Sequence, residues 1–253
     1  MNRTQIHWKG ESGFPPHIAM IEAVPGVGNV GKLVIDGLKE KYSSTCLGWL
    51  IHPDFPPHAS LDKDGLISPP GMEICSVILT TGENIITISG RMQPLTAAGQ
   101  FEVSEAILKL AVDENVPQLL VLAGLSAEIE ERSVHVICSE AEIRKGLESN
   151  GIIVSREKPD GGMIGVSGMV LSLSNIHGVA AIGIVADTIG TSADFLAAER
   201  LSKWIENSLN IPLNLDLDTT EITAKKLLQS MNPEFIISDY LGDDNEVAGD
   251  FYV

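Results

Sequence analysis

The sequence predicts a single three-layer α/β/α domain around a central, largely parallel or mixed sheet. Three observations carry this. The runs "QLLVLAGL" (118–125) and "VAAIGIVADT" (179–188) are apolar almost without interruption, as are strands of a parallel sheet covered on both faces. Strand-like runs alternate with segments of helical spacing along the whole chain. No internal repeat or Gly/Ser linker divides the 253 residues, of which 44% are hydrophobic, enough for one large core.

Each element has its own signal. "HIAMIEAV" (17–24) reads as a buried strand, "PGVGNVG" as a tight loop, and "KLVIDGLKEKY" as a helix with Leu33, Gly37 and Tyr42 along one flank. "TCLGWLI" (45–51) is a second buried strand. The Pro-rich stretch that follows, "HPDFPPHASLDKDGLISPPG", excludes continuous helix or central strand and predicts loops with short strands. "EICSVILTTGENIITISGRM" reads as a hairpin, two β-branched runs joined by Thr-Gly-Glu-Asn. A long helix is expected from Pro94 to about Asn115, then the strand at 118–125. "SVHVIC" is a strand ending at Ser139, which with Glu142 predicts a capping box for a helix over 140–149. "GIIVS" and the Gly-rich "DGGMIGVSG" lead to a helix near 168–177, and the cleanest buried strand follows at 179–188. Ser192 or Asp194 then caps an amphipathic helix whose stripe is Phe195, Ala198, Leu201, Ile205 and Leu209. A last helix is expected near 220–231. The folded domain is taken as 1–239 and residues 240–253 as a mobile acidic tail, since Asp243, Asp244, Glu246, Asp250 and two glycines favour solvation over packing.

Composition narrows the function. A net charge of −17 argues against nucleic acid, whose phosphates demand a basic face, and against an anionic membrane surface. The charge serves colloidal solubility or attraction to a partner with basic pockets. No run approaches the roughly 18 apolar residues of a membrane span, and the N-terminal stretch lacks an apolar signal region, so a cytoplasmic protein is expected. Cys46, Cys75 and Cys138 are odd in number, widely spaced and form no C-x-x-C pair. They read as small buried apolar residues in a reducing compartment.

The loudest local pattern is Gly26-x-Gly28-x-x-Gly31, lying between a strand and a helix. In a dinucleotide site such glycines let the backbone approach a pyrophosphate at the helix N-terminus. The acid that should close the next strand is missing, however. That strand runs into Ile51-His52-Pro53, with Asp54 beyond the proline, and the loop holds no basic residue before Lys32. A structural glycine turn formed by Gly26, Gly28, Asn29 and Gly31 is therefore expected, with a nucleotide- or nucleoside-binding enzyme using the same loop as the alternative. "GVSGM" (165–169) has Met169 where a nucleophile elbow has its second glycine. His52, Asp54 and His58 match no recognised zinc spacing and sit in a loop fixed by prolines. Ser155 and Lys158 stand without companion motifs, and Glu128, Glu130 and Glu131 read as a solvated helix face. Asp187 and Thr188 end a core strand, where α/β folds place ligands, and are pocket candidates on that ground. No catalytic residue, metal or cofactor is assigned.

The chain closes on Phe251-Tyr252-Val253 after its acidic run. Aromatic residues there need a pocket, either on their own domain or on another protein.

Together, "PGVGNVGKLVIDGL", "GLSAEIE", "DGGMIGVSGMVLSL" and "VADTIGTSADFLAAERLSKWI" resemble the proteasome assembly chaperone family in its archaeal form, over about residues 17–230. Asp187 stands where many relatives carry Glu. The resemblance implies a fold similar to nucleoside phosphorylases, no catalysis, no cofactor, and a homo-oligomer, tetramer or pentamer, that helps assemble proteasome α-rings. Several relatives end in a hydrophobic-tyrosine-any motif that enters pockets between α subunits, and Phe251, Tyr252 and Val253 match it position by position. By the same resemblance, the terminal carboxylate would pair with a lysine of an α-ring subunit of the proteasome core particle.

Overall fold

The strands and helices alternate as their patterns require. β1 (Gln5–Trp8) and β2 (Ala19–Ala23) precede a 3-10 turn at Val27–Asn29 and α1 (Val30–Lys41). Then come β3 (Ser43–Ile51), a small two-stranded excursion of β4 (Ser60–Leu61) and β5 (Ile67–Ser68), and the hairpin β6 (Met72–Ile78) and β7 (Asn84–Gly90). α2 (Ala97–Asp113), β8 (Leu119–Ser126), β9 (Val134–Cys138), α3 (Ala141–Ser149), α4 (Gly165–Ser174), β10 (Ala181–Thr188) and α5 (Phe195–Leu209) complete the fold. The computed structural model describes residues 2–61, 65–128, 130–160 and 162–217. The helix expected near 220–231, the domain boundary at 239/240 and the tail with Phe251, Tyr252 and Val253 lie outside them.

Eight strands form one mixed sheet in the order β1-β3-β6-β7-β2-β8-β10-β9. The middle four, β7, β2, β8 and β10, run parallel, while β1, β3, β6 and the far edge strand β9 pair antiparallel. Period-two alternation sends neighbouring side chains to two cores. From β2, Ile21 joins the core under α1, α3 and α5, and Met20 joins the core under α2 and α4. Leu120 and Leu122 of β8 face the first, Leu119 and Val121 the second. This is the three-layer α/β/α class, and it explains why β8 and β10 read as unbroken apolar runs: each has a helix layer on both faces.

α5 forms where expected. Asp194 caps it by accepting from the Ala197 amide at 2.9 Å, and Phe195, Ala198, Leu201 and Ile205 are buried. Fully burying a side chain such as Phe195, Leu201 or Ile205 is worth about 1.5–3 kcal/mol. Three local expectations are corrected. Ser139 does not cap α3, because its hydroxyl donates to the Ala181 carbonyl of the neighbouring strand at 3.1 Å, and Glu140 takes the cap position. α4 begins at Gly165, earlier than its own sequence suggests, because Gln93 from the β7–α2 loop accepts from the Val166 amide at 3.0 Å. Glu128, Glu130 and Glu131 are exposed, but on the β8–β9 connection and not on a helix, where the Glu131 amide closes a turn onto the Glu128 carbonyl at 2.9 Å.

Two segments carried no expectation. β1 extends the sheet by pairing with β3. Residues 211–217 have no regular structure, yet Ile211, Leu213, Leu215 and Leu217 alternate into the α1 core. Gly37 makes room for them, since a Cβ there would lie 2.7 Å from Leu217 Cδ2. Among the described residues, no helix is long and apolar enough to cross a membrane.

Candidate functional site

The parallel strands deliver their C-terminal ends to one edge of the sheet, and two motifs distant in sequence meet there. One is the glycine turn after β2, the other the segment after β10. Gly28 and Asn29 both adopt left-handed backbone, with φ of 64° and 50°, which reverses the chain from strand into α1 within a single turn. Gly28 presses on Thr188, where an added Cβ would lie 2.4 Å from Oγ1. Gly31 presses on the Leu122 carbonyl, also at 2.4 Å. Gly26 differs: its backbone is extended and its nearest neighbour is 3.9 Å from a Cβ position, so packing does not demand a glycine there.

Polar contacts close the joint. Asn29 donates to the Ser192 carbonyl at 2.7 Å, and its Oδ1 accepts from the Gly26 amide at 3.3 Å. The Asp194 amide donates to the Gly28 carbonyl at 2.9 Å. Thr188 Oγ1 donates to Asp194 Oδ2 at 2.7 Å and accepts from the Gly190 amide at 3.2 Å. Asp194 thus caps α5 with one oxygen and holds Thr188 with the other. Asp187 is as fully engaged. Oδ1 pairs with His135 Nε2 at 2.9 Å, Oδ2 accepts from the Ser133 amide at 2.8 Å, and its carbonyl accepts from Arg200.

A cavity of about 390 Å³ opens beside this joint. The structure brings Asp187 and Thr188 to its wall, as the strand-end position suggested. Three cations, Arg132, Arg200 and Lys203, meet four carboxylates there, Glu131, Asp187, Asp194 and Glu199, with Ile189 and Leu196 alongside. The charges nearly cancel, so the wall offers no net positive field to a pyrophosphate. Thr188 has its hydroxyl proton committed to Asp194, and Asp187 has both oxygens occupied.

The remaining motif residues lie elsewhere. His52 is buried with both ring nitrogens in use: Nδ1 accepts from the Asp54 amide at 3.1 Å, and Nε2 meets Glu102 Oε2 at 3.2 Å. Asp54 Oδ2 accepts from the amide and hydroxyl of Thr96, each at 2.7 Å, ahead of α2, and His58 is exposed. Among the described residues, no group of three or more His, Cys, Asp or Glu side chains could hold a metal. Ser167 of "GVSGM" is buried in α4 and donates to Glu22 Oε1 at 3.3 Å. Glu22 was not anticipated. It sits in the middle of the sheet with no exposed surface, Oε2 has no partner, and burial pushes its carboxyl up from 4.5 to about 8, against the smaller opposing effect of Ser167. Its signal was the lone acid in "HIAMIEAV".

Fold and joint together define a mixed-sheet α/β protein whose strand-to-helix turn is braced by its own chain. The chain belongs to the PAC2 family, whose sequence profile matches residues 20–232. An uncharacterised protein of Methanocaldococcus jannaschii is 26% identical over 199 residues, covering 78% of this chain and 76% of that one. Among solved structures, Pyrococcus furiosus PbaB, described as an archaeal proteasome activator, superposes with a TM-score of 0.74 at 19% identity, over 92% of this chain and 99% of that one. Pyrococcus furiosus PbaA, described as an archaeal homologue of proteasome-assembly chaperone, gives 0.73 at 20% identity, over 92% and 96%. The resemblance drawn from the motifs holds for the family and for the mixed-sheet α/β class of the fold.

Proposed function

We propose that the protein is a non-enzymatic proteasome assembly chaperone or activator-like protein, acting as a cytoplasmic homo-oligomer. The observation that carries this is membership of the PAC2 family over nearly all of the described fold. Likeness in fold to an archaeal proteasome activator and to an assembly-chaperone homologue supports it. The contact is assigned to the tail. Phe251 and Tyr252 enter a pocket of the proteasome α-ring, and the Val253 carboxylate pairs with a lysine there. Gly28, Asn29 and Gly31 then serve as a structural joint, with Gly26 beside them. What supports that role is that the Cβ directions of Gly28 and Gly31 meet the protein's own Thr188 and Leu122.

The cavity near Asp187 keeps a nucleotide- or nucleoside-binding enzyme as the competing reading. Two measurements separate them. Isolated archaeal proteasome core particles should retain the intact protein in a pull-down, and failure to do so overturns the proposal. NAD or ATP at millimolar concentration should leave the melting temperature unchanged. A ligand at about 100 times its Kd would stabilise by roughly 2.7 kcal/mol, and such a rise would favour the enzyme.

A further inference from the structure

Two of the three cysteines, distant in sequence, meet in space. β3 and β6 pair antiparallel with Cys46 directly opposite Cys75. Directly opposed residues of an antiparallel ladder share a face, with Cα atoms about 4.5–5.5 Å apart. A disulfide needs Cα atoms about 4.4–6.8 Å apart, a range that includes such a directly opposed pair. Cys138 cannot compete. It lies on β9, and β7, β2, β8 and β10 stand between β6 and β9 in the sheet, about 24 Å at the usual strand spacing.

The pair is also unequal. Cys46 is half-buried and reachable from solvent, whereas Cys75 is 2% exposed. Lys39 of α1 pairs with Glu73, two residues along β6 on the same face, which puts an ammonium beside the Cys75 thiol. The neighbouring Cys75 holds Cys46 below the ordinary thiol range, against partial burial, and the Cys46 thiol itself reaches the Gly48 carbonyl at 3.8 Å. The neighbouring Cys46 and burial push Cys75 upward. An accessible cysteine of lowered pKa opposite a sheltered one of raised pKa is the arrangement of an attacking and a resolving cysteine.

We propose that Cys46 and Cys75 form a reversible oxidation site that closes to an intramolecular disulfide when the protein meets hydrogen peroxide. The Cys46 thiolate attacks one peroxide oxygen. The O–O bond breaks, an S–O bond forms, and the departing hydroxide takes a proton to leave as water. Cys75 then attacks the sulfenic sulfur. The S–S bond forms as the S–O bond breaks, and the Cys75 proton leaves with the hydroxyl as a second water. Two electrons have passed from two thiols to the peroxide. The new bond closes a loop from 46 to 75 that contains the Pro-rich excursion and its exposed Leu61, Leu66 and Ile67. That loop loses freedom only in the unfolded chain, so the oxidised protein should melt higher.

The test treats the reduced full-length protein with hydrogen peroxide under native conditions. The intact mass should fall by about 2 Da, the loss of two hydrogens on disulfide formation. The tryptic peptides spanning 42–63 and 64–91 should become joined, and Cys138 should remain open to alkylation. The melting temperature should rise by on the order of 5–10 °C and return on reduction with dithiothreitol. Cys138→Ser should keep every one of these changes, and Cys46→Ser should lose them all. Because Cys46 is half-buried, that variant leaves the core intact, and Cys75→Ala provides a second check. Added oxygen on Cys46 with Cys75 still alkylatable would overturn the proposal, as would a disulfide through Cys138 or between two chains.

Discussion

At the scale of single residues, Glu22 makes the sharpest forecast. Folded, it keeps its proton to about pH 8, whereas an unfolded glutamate releases it above its ordinary 4.5. Between those values the unfolded state binds fewer protons, so stability falls as pH rises through the window. One pKa unit corresponds to 1.36 kcal/mol, so the loss by pH 8 reaches up to about 4 kcal/mol. Glu22→Gln should remove it. Urea unfolding of the variant should be nearly flat between pH 5 and 8, with a gain over the parent confined to the upper end. Equal pH slopes for the two proteins would refute the buried-acid account. The glycine turn supplies a paired test. Gly28→Ala must hold a side chain at φ 64° and place Cβ against Thr188, which should cost about 2–4 kcal/mol. Gly26→Ala, with extended backbone and open space, should change stability by less than about 1 kcal/mol. Thermal melts of both variants check this, and equal effects would mean that the turn relaxes. The G-x-G-x-x-G spacing was legible in the sequence, but it gave all three glycines one meaning. The left-handed backbone of Gly28 and its contact with Thr188, 160 positions away, separate it from Gly26.

At the scale of elements, what could be read depended on whether an element carries its own instructions. α5 does: Asp194 and the stripe from Phe195 to Ile205 lie within one segment, and β8 and β10 declare their burial by composition. α4 does not, because its first amide is satisfied by Gln93 from another loop, so its start could not be placed from local sequence. Ser139 failed as a cap for a related reason, since a strand carbonyl outbids the helix for its hydroxyl. β1, only four residues long, and the irregular 211–217 segment have apolar alternation too short or too broken by Pro212 to announce themselves. Asp194 joins element to site, which makes it testable. Asp194→Ala removes the α5 cap and the partner of Thr188 together, and should cost about 2 kcal/mol. Asp194→Asn keeps an oxygen for the Ala197 amide and should cost roughly half as much. Chemical denaturation separates the two, and an equal loss would mean that the cap contributes little.

At the scale of the whole molecule, the proposed function makes demands on assembly and on the tail that single-chain geometry does not. One tail seated in one pocket is a weak attachment, but several tails on an oligomer engaging a ring at once multiply affinity by about 100-fold or more. Sedimentation should therefore show a species larger than the 27.1 kDa chain at micromolar concentration. A persistent monomer would remove the avidity argument. The tail residues then have separable physical tasks. Phe251 would bury its ring among apolar groups at the pocket rim, while Tyr252 packs an aromatic face and offers a hydroxyl donor. The Val253 carboxylate would make a charge-assisted bond to a lysine, and such a bond belongs to the backbone and not to the valine side chain. A net charge of −17 adds steering toward basic pockets, so association should weaken as salt rises. The expected pattern across variants follows from these tasks. Deleting Tyr252 and Val253, or adding one glycine after Val253, should abolish binding to core particles while sedimentation and melting stay unchanged. Tyr252→Ala should come close to the deletion, and Val253→Ala should lose far less. Surface-bound core particles titrated with each variant give the comparison. If the deletion variant bound with the affinity of the parent, the contact would lie on the folded domain and not on the tail.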